Sequence, residues 1–196
     1  MKQIEVTVRI NNTLDEVDKI LTRQGFKVID SYRIEDEYLT QRIDELNKDN
    51  IIDILKSCVL IRNIKEEKKE TKKIIYKIKE YKDNTVISEE KINVNIDNIS
   101  NAIRLFNKLG FEELTSVKYD IIVYSNGLYE FAFQNVCDFG LLMEMEHPDD
   151  FTGYSYEDIL KEKEKMLNII NSYNLITGTD YDVKKAYEVV LKRLKK

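Results

Sequence analysis

The stretch VRINNTLDEVDKILTRQGFKVIDSYRIEDEYL, residues 8–39, recurs later in the chain as VNIDNISNAIRLFNKLGFEELTSVKYDIIVY, residues 94–124. With one residue of slack the two copies align at a shift of 86 (94 − 8 and 124 − 38), which matches Val8 with Val94 and Tyr38 with Tyr124. Each copy reads as a strand, a helix that ends at Gly-Phe and a long strand, so the sequence predicts an internal duplication. We therefore expect a sheet with a pseudo-twofold arrangement.

Local signals define the elements of the first copy. Residues 3–10 alternate polar and apolar side chains, the period of two that predicts a strand with one polar and one apolar face. Thr13 then predicts a helix cap, and Glu16, three residues later, completes a capping box. Gly25 predicts the end of that helix. A second strand is expected over residues 26–38.

The rest of the chain adds more strands and two helices. Pro148 is expected to close the sheet region, because proline disrupts a strand ladder. A helix is then expected from Ser155, and a last one presents the apolar face of residues 187–194. The remaining strands are predicted within SCVLIRNIKEE, KKIIYKIKEYK, TVISEEKINVNI, LYEFAFQNV and GLLMEMEH. Together these elements predict an α+β fold.

Composition narrows the class of protein. The chain has 196 residues, which favours one domain over 1–196. Its 31 basic and 36 acidic residues give a net charge of −5, so the surface offers no electrostatic case for nucleic acid or an anionic membrane. The N-terminus lacks the apolar core of a signal peptide, and we expect a cytoplasmic protein. Cys58 and Cys137 fit neither a disulfide scaffold nor a zinc pattern and are expected to be buried, reduced thiols.

Charged residues recur on one face of the predicted strands. The ordinary interpretation is that this face meets water while the apolar face meets a core. The alternative is that helices cover the apolar face from outside, so that the charged face lines a hydrophilic tunnel. The strand-borne charges in question are Glu5, Arg9, Arg62, Lys77, Lys79, Lys118, Glu144 and Glu146.

Such a tunnel has a clear chemical use. A polyphosphate needs several cationic donors, and Mg²⁺ or Mn²⁺ needs oxygen ligands beside the phosphates. Glu144 and Glu146 are at i and i+2 of a predicted strand, so their carboxylates project from the same face and could share a cation. Exposed Glu-x-Glu pairs on strands are common, and the pair alone does not identify a metal site.

Several short segments resemble the motifs of the CYTH superfamily, the triphosphate tunnel metalloenzymes that include class IV adenylyl cyclases, thiamine triphosphatases and inorganic triphosphatases. IEVTVR at residues 4–9 resembles the opening ExExK motif, and DEY at 36–38 resembles the DxY element. LIR at 60–62 stands where the family has RxR, and YKIK at 76–79 resembles the strand with a phosphate-binding lysine. YEFAFQNVCDFGLLMEME, residues 129–146, is similar throughout to the closing strand, Val, Gly and ExE pattern.

The resemblance implies an eight-stranded antiparallel β-barrel, or tunnel, with helices packed outside it. It also implies that Glu5, Glu144 and Glu146 bind Mg²⁺ or Mn²⁺. Arg and Lys side chains would then bind an organic triphosphate or polyphosphate. The implied substrate-binding residues are Arg9, Arg62, Lys77, Lys79 and Lys118. Related tunnels often pair, so a homodimer is among the expected assemblies.

Four positions depart from the family pattern. Thr7 replaces the second Glu of ExExK, Leu60 the first Arg of RxR, Asp120 an Arg, and Gln134 a metal-binding Asp. These changes remove two carboxylates from the metal patch and two positive charges from the phosphate patch. One hypothesis is an active cyclase-like or triphosphatase-like metalloenzyme. The alternative is a catalytically degenerate relative that binds another phosphate ligand without turnover, and a third places function on an oligomeric surface. His147 is expected to have a surface role rather than a catalytic one.

Overall fold

The computed structural model describes residues 2–82, 85–137, 139–181 and 183–195. Within them the chain forms nine strands, five α-helices and one short 3-10 turn at Ile43–Glu45. The strands are β1 (Glu5–Ile10), β2 (Lys27–Thr40), β3 (Val59–Lys65), β4 (Glu70–Lys82), β5 (Thr85–Asn95), β6 (Glu112–Ser125), β7 (Glu130–Val136), β8 (Gly140–Glu146) and β9 (Thr177–Tyr181). The helices are α1 (Leu14–Arg23), α2 (Ile51–Lys56), α3 (Ile99–Lys108), α4 (Tyr156–Ser172) and α5 (Lys185–Leu194).

The internal duplication is visible in the element lengths. Helices α1 and α3 each have 10 residues, and strands β2 and β6 each have 14. Both pairs start 85 residues apart (99 − 14 and 112 − 27), one less than the sequence alignment suggested. Gly25 and Gly110 follow the two helices with φ of 85° and 84°, a left-handed conformation that glycine adopts without a Cβ penalty. The Thr13–Glu16 capping box at the start of α1 is also present.

The strands lie in one sheet in the order β5-β4-β3-β2-β6-β7-β8-β1-β9. The predicted α+β fold class, with an antiparallel sheet, packed helices and an internal duplication, is confirmed. The expectation that Pro148 ends the sheet region was wrong, because β9 follows α4 and pairs antiparallel with β1. This short strand, TGTDY, adds a ninth strand to the predicted eight.

The chain divides into two compact units, and the single-domain prediction for 1–196 stays a prediction. Unit 1 comprises Met1–Ser31, Lys79–Glu90 and Asp120–Val183. Its core joins the apolar face of β1, including Val6 and Val8, to the inner sides of α1 and α4. The charged side chains of β1 alternate with these apolar ones and therefore face away from that core.

Unit 2 comprises Tyr32–Ile78, Lys91–Tyr119 and Lys184–Lys196. In one of its cores α3 packs on Leu39 and Ile61. In the other, α2 and α5 meet around Ile54 and Val190. The predicted apolar face of the last helix is confirmed, since Tyr187, Leu191 and Leu194 pack against the same cluster as Val190. Helix α2 was not predicted.

The two cysteines have different environments. Cys58 is buried, as predicted, and burial raises the pKa of its thiol to about 12. Cys137 is exposed, so the prediction was wrong for this residue, which follows the last residue of β7. No helix in the described part of the chain has the length and apolar character needed to cross a membrane.

Candidate functional site

The three predicted metal ligands lie on one face of paired strands in unit 1. Strand β1 pairs antiparallel with β8, which places Glu5 directly opposite Glu146 and Thr7 opposite Glu144. Directly opposed residues share a face, with Cβ atoms about 4.5–5.5 Å apart. Arg9 continues the same face of β1. The carboxylates of Glu5, Glu144 and Glu146, which we call the carboxylate face, are therefore neighbours.

Gln134, which stands where the family pattern has a metal-binding Asp, is part of this arrangement. Its side chain is buried, and its Nε2 donates a hydrogen bond of 2.9 Å to Oε2 of Glu144. The amide therefore satisfies one Glu144 oxygen that a metal ion would otherwise use. A carboxylate at position 134 would instead repel Glu144 unless a cation lay between them.

The carboxylate face as placed does not complete a metal site. Among the described residues, no three acidic, histidine or cysteine side chains are grouped closely enough to hold a metal ion. Mg²⁺ in addition prefers near-octahedral oxygen ligands. The binding of Mg²⁺ or Mn²⁺ by Glu5, Glu144 and Glu146 stays a prediction.

Arg9 is held by groups that the sequence did not single out. Its Nε donates to Asp180 at 3.1 Å, and its guanidinium carbon lies 4.4 Å from the centre of the Phe139 ring. Asp180 belongs to β9, the strand that was not predicted. The pair is partly open to solvent, with 27% of the Arg9 side chain and 46% of the Asp180 side chain exposed.

Lys79 is also paired with a carboxylate in unit 1. Its Nζ lies 2.8 Å from a carboxylate oxygen of Glu89, whose side chain is buried. Glu89 is fixed by an isolated antiparallel bridge to Gln3. The sequence motifs did not identify Glu89 as a partner of Lys79. Its position depends on a bridge between residues 86 positions apart (89 − 3), which local sequence patterns do not reveal. Lys77, in unit 2, is half-buried on β4.

Arg62 belongs to a buried network in unit 2. Strand pairing places it directly opposite Asp36, and two parallel hydrogen bonds of 2.7 Å join the guanidinium to the two carboxylate oxygens. The Tyr119 hydroxyl donates to Asp36 at 3.0 Å and accepts from Arg62 at 3.1 Å. The Asp36 side chain is 1% exposed and that of Arg62 20%. We call these three residues the Asp36 cluster.

Electrostatics fix the protonation of Arg62 and Tyr119 in the Asp36 cluster. Burial alone would lower the pKa of Arg62, but the neighbouring Tyr119 and Asp36 raise it well above its usual range. Burial also raises the pKa of Tyr119 well above its ordinary value, against the opposing effect of Arg62. Arg62 therefore stays charged and the Tyr119 hydroxyl stays neutral, as its hydrogen bond to Asp36 requires. The ammonium of Lys185, at the start of α5, lies 4.2 Å from the centre of the Tyr119 ring.

Lys118 is not brought together with Arg62. Along β6, Val117 and Tyr119 are buried whereas Lys118 and Asp120 are exposed, so Lys118 faces away from the Asp36 cluster. Its charge acts instead on two carboxyls of β2: Lys65 has the largest effect in lowering the pKa of Glu35, and Lys118 adds to that lowering. Burial and then Glu113 raise the pKa of Glu37, and Lys118 opposes that rise. Leu60, at the position of the first Arg of RxR, is buried.

Comparisons with known proteins identify the fold class but not the family or the activity. No family model and no curated protein matches the chain. The PH1819 protein of Pyrococcus horikoshii OT3 aligns over 97% of this chain and 99% of its own, with 17% identity and a TM-score of 0.74. A Vibrio parahaemolyticus protein provisionally named an adenylate cyclase aligns over 98% of both chains, with 15% identity and a TM-score of 0.65.

A third solved structure with a similar fold comes from a different kind of protein, a multi-protein complex. A chain in the Mediator head module of Schizosaccharomyces pombe aligns over 90% of this chain and 98% of its own, with 9% identity and a TM-score of 0.57. At such identities the alignments define a fold class, which the Vibrio protein shares and which agrees with the CYTH resemblance. Fold likeness does not specify substrate or activity.

Proposed function

We propose that this protein is a CYTH-type relative that binds a phosphate-bearing small molecule and no longer turns over triphosphates. The observation that carries the proposal is the pairing of cations with carboxylates. Three of the five predicted phosphate-binding cations, Arg9, Arg62 and Lys79, each lie within 3.1 Å of a carboxylate oxygen. A triphosphate would have to displace those carboxylates, and each displaced group would repel it.

The pairs differ in how readily a phosphate could replace the carboxylate. Removing Arg62 from Asp36 would leave a carboxylate that is 1% exposed with only the Tyr119 hydroxyl. A buried charge without its counter-ion is strongly destabilising. Asp180 is 46% exposed, so water would solvate it if Arg9 turned to a phosphate. We therefore propose Arg9 as the residue that contacts phosphate, whereas Arg62 stabilises the folded structure.

The loss of turnover follows from the carboxylate face. Thr7 and Gln134 occupy positions where the family pattern has carboxylates, and Gln134 engages Glu144 directly. Phosphoryl and nucleotidyl transfer depend on stabilising the charge that develops on the phosphate oxygens. With the carboxylates short of a ligand set and three of the five cations paired with carboxylates, that stabilisation is weak.

The decisive experiment measures binding and turnover separately. We expect no metal-dependent release of phosphate or pyrophosphate from ATP, thiamine triphosphate or tripolyphosphate with Mg²⁺ or Mn²⁺. In calorimetry we expect pyrophosphate or tripolyphosphate to bind, and Arg9→Gln to weaken that binding by about tenfold, as expected for loss of one charge-assisted contact. Arg23→Gln, which removes an exposed charge from α1, is the matched control. Equal affinities for Arg9→Gln and the wild type would overturn the role of Arg9.

A second candidate function is the active metalloenzyme, with an organic triphosphate as substrate. The observation that favours it is the register of β1 and β8, which sets Glu5 opposite Glu146 with Glu144 on the same face. The provisional cyclase name of the Vibrio protein supports the same reading, since cyclases act on a triphosphate. Metal-dependent turnover that disappears in Glu144→Gln would establish this function and reject the loss of catalysis.

A further inference from the structure

Strand β9 is irregular where it passes Arg9. On β1 one residue, Arg9, lies between the two residues that pair with β9, whereas three residues, 178–180, lie between their partners on β9. We call residues 178–180 the β9 bulge. Extra residues in one strand disrupt the ladder locally, bend the strand and redirect a side chain. The redirected side chain here is Asp180, whose carboxylate contacts Arg9.

Both ends of the β9 bulge are anchored by backbone hydrogen bonds. Before it, the N–H of Asn11 donates to the carbonyl oxygen of Ile176 at 2.8 Å. After it, the N–H of Val183 donates to the carbonyl oxygen of Thr7 at 3.3 Å. The register shift is confined to the segment between these anchors. The bulge can therefore change conformation while the flanking residues keep β9 in place.

Gly178 provides the space for the contact between Asp180 and Arg9. A Cβ atom at position 178 would lie 2.6 Å from Oδ1 of Asp180 and 3.1 Å from Cβ of Arg9. The first distance is shorter than a van der Waals contact, so any side chain at this position would displace the carboxylate. A glycine within a strand often marks such a close approach. Gly178 thus allows Asp180 to reach Arg9.

Asp180 occupies the edge of Arg9 that a phosphate would use. Nε and Nη2 of Arg9 both lie 3.1 Å from Oδ2 of Asp180. Through this edge arginine can hold a carboxylate or a phosphate with two parallel hydrogen bonds. Nη1 donates to the carbonyl oxygen of Phe139 at 3.5 Å, and the Phe139 ring covers one face of the guanidinium. A phosphate therefore reaches the edge of Nε and Nη2 only when Asp180 leaves it.

The Asp180 carboxylate differs from the other carboxylates that pair with predicted phosphate-binding cations. Asp36 and Glu89 have side chains that are 1% and 3% exposed, whereas that of Asp180 is 46% exposed. Exposed ion pairs are weak, because water solvates the separated charges. A ligand with several negative charges can therefore break the contact between Arg9 and Asp180.

We propose that the β9 bulge is an autoinhibitory contact: Asp180 closes Arg9 in the free protein, and a polyphosphate binds by displacing it. This inference rests on the proposed function, since it concerns the regulation of the Arg9 site. The apparent dissociation constant is the intrinsic one divided by the fraction of the protein in which Arg9 is open. Asp180 therefore lowers the affinity of the site, and its removal raises that affinity.

Calorimetry of the full chain with tripolyphosphate tests this inference. We expect Asp180→Asn to bind about fivefold more tightly or better. An exposed ion pair accounts for up to about fivefold, and loss of a charge that repels the ligand adds to this. Gly178→Ala, which displaces the carboxylate and keeps its charge, is expected to give a smaller gain. Asp15→Asn removes an exposed carboxylate from α1 and, as the matched control, is expected to bind as the wild type does.

A measurement without ligand tests the state of Arg9 directly. Phenylglyoxal reacts with arginine side chains, and mass spectrometry of peptides gives the rate at each arginine. We expect Arg9 to react several-fold faster in Asp180→Asn and in Gly178→Ala than in the wild type. Arg42, which contacts Glu45 and Asp53, should react at one rate in all three proteins. Equal acceleration of Arg9 and Arg42 would attribute the effect to a loosened fold and overturn the inference.

The binding results separate this inference from the proposed function. If Arg9→Gln weakens binding but Asp180→Asn does not strengthen it, the phosphate site stands and the autoinhibitory contact is rejected. The contact is also rejected if Asp15→Asn gives the same gain, or if the gain persists when Asp180→Asn is combined with Arg9→Gln. Binding by Asp180→Asn and not by the wild type would support the contact and reject phosphate binding by the unaltered chain. Binding by neither protein would reject both.

Discussion

The Asp36 cluster and the carboxylate face are two sets of charges on strands, and they differ in the sign of the opposed charges and in exposure. In the Asp36 cluster a carboxylate, a guanidinium and a hydroxyl satisfy one another, and the carboxylate is 1% exposed. On the carboxylate face Glu5 and Glu146 oppose each other across β1 and β8, and Glu146 is exposed. A closed, buried network of opposite charges stabilises the fold, whereas like charges opposed at a partly exposed position repel each other.

The largest effect is expected from breaking the buried ion pair between Asp36 and Arg62. Arg62→Met would leave the Asp36 carboxylate buried with one hydroxyl donor, so we expect the free energy of unfolding to fall by about 3–5 kcal/mol. Urea denaturation measures this change. In the double variant Asp36→Leu with Arg62→Met, both charges are gone, and we expect most of the loss to be recovered, because apolar replacements of buried ion pairs are often neutral.

Arg42 provides the matched control for this prediction. It also contacts two carboxylates, Glu45 and Asp53, at 2.8 and 2.9 Å, but 59% of the Asp53 side chain is exposed. Exposed ion pairs contribute about 0–1 kcal/mol, so Arg42→Met is expected to have a small effect. Equal losses for Arg42→Met and Arg62→Met would contradict the distinction drawn from burial.

Local sequence signals were sufficient for most of the elements and for the duplication. The capping box at Thr13, the stop at Gly25 and the strand alternation depend on neighbouring residues, and all three are present. The strand β9 was missed because TGTDY is short and contains a glycine, and because its place beside β1 is a contact between distant residues. Helix α2 has six residues and no side-chain cap, which left no clear start signal.

The pairing of functional residues could not be predicted from the sequence. Asp36 and Arg62 were noted separately as parts of DEY and LIR, but their contact depends on the register of β2 and β3. That register is not set by a tight hairpin, since β2 ends at Thr40 and β3 begins at Val59. Asp180 and Glu89 were missed for the same reason. Each neutralises a predicted phosphate-binding cation through a long-range contact.

A smaller change tests the third member of the Asp36 cluster. Tyr119→Phe removes the hydroxyl that donates to Asp36 and accepts from Arg62. A hydrogen bond to a charged group contributes about 1.5–3 kcal/mol, and we expect a loss of unfolding free energy in that range. Tyr154→Phe, at an exposed ring, should change stability by less than about 0.5 kcal/mol. A loss for Tyr119→Phe no larger than this would show that water replaces the hydroxyl.

The pH dependence of stability at alkaline pH tests the same Tyr119 hydroxyl in a second way. Because the folded-state pKa of Tyr119 is raised, its contribution to stability is fully present below the unfolded pKa of about 10 and is lost as pH rises above that value. The loss has a limiting slope of about 1.4 kcal/mol per pH unit. Urea denaturation above pH 10 should therefore show a steeper decline for the wild type than for Tyr119→Phe. Parallel declines would place Tyr119 in contact with solvent.

The smallest expected effect comes from the carboxylate face. Glu146→Gln relieves the repulsion with Glu5 across the sheet, and like charges directly opposite are unfavourable by roughly 0.2–1 kcal/mol. We expect the variant to be more stable than the wild type by that amount at low salt, and the difference to shrink as salt screens the charges. Glu67→Gln, in the turn between β3 and β4, removes a charge that lies outside the paired residues of those strands, and it serves as the control.

Adding Mg²⁺ turns this variant into a test of the two functions proposed above. A ligand that binds only the folded state raises its stability, so a metal held by Glu146 would stabilise the wild type and not Glu146→Gln. In that case the wild type would become more stable than Glu146→Gln as Mg²⁺ is added, and this result would favour the metalloenzyme. For the non-catalytic relative, Mg²⁺ should act only as a screening ion and narrow the difference. A wild type that is more stable than Glu146→Gln without any metal would instead show that Glu146 has a favourable partner and that the face is not strained by like charge.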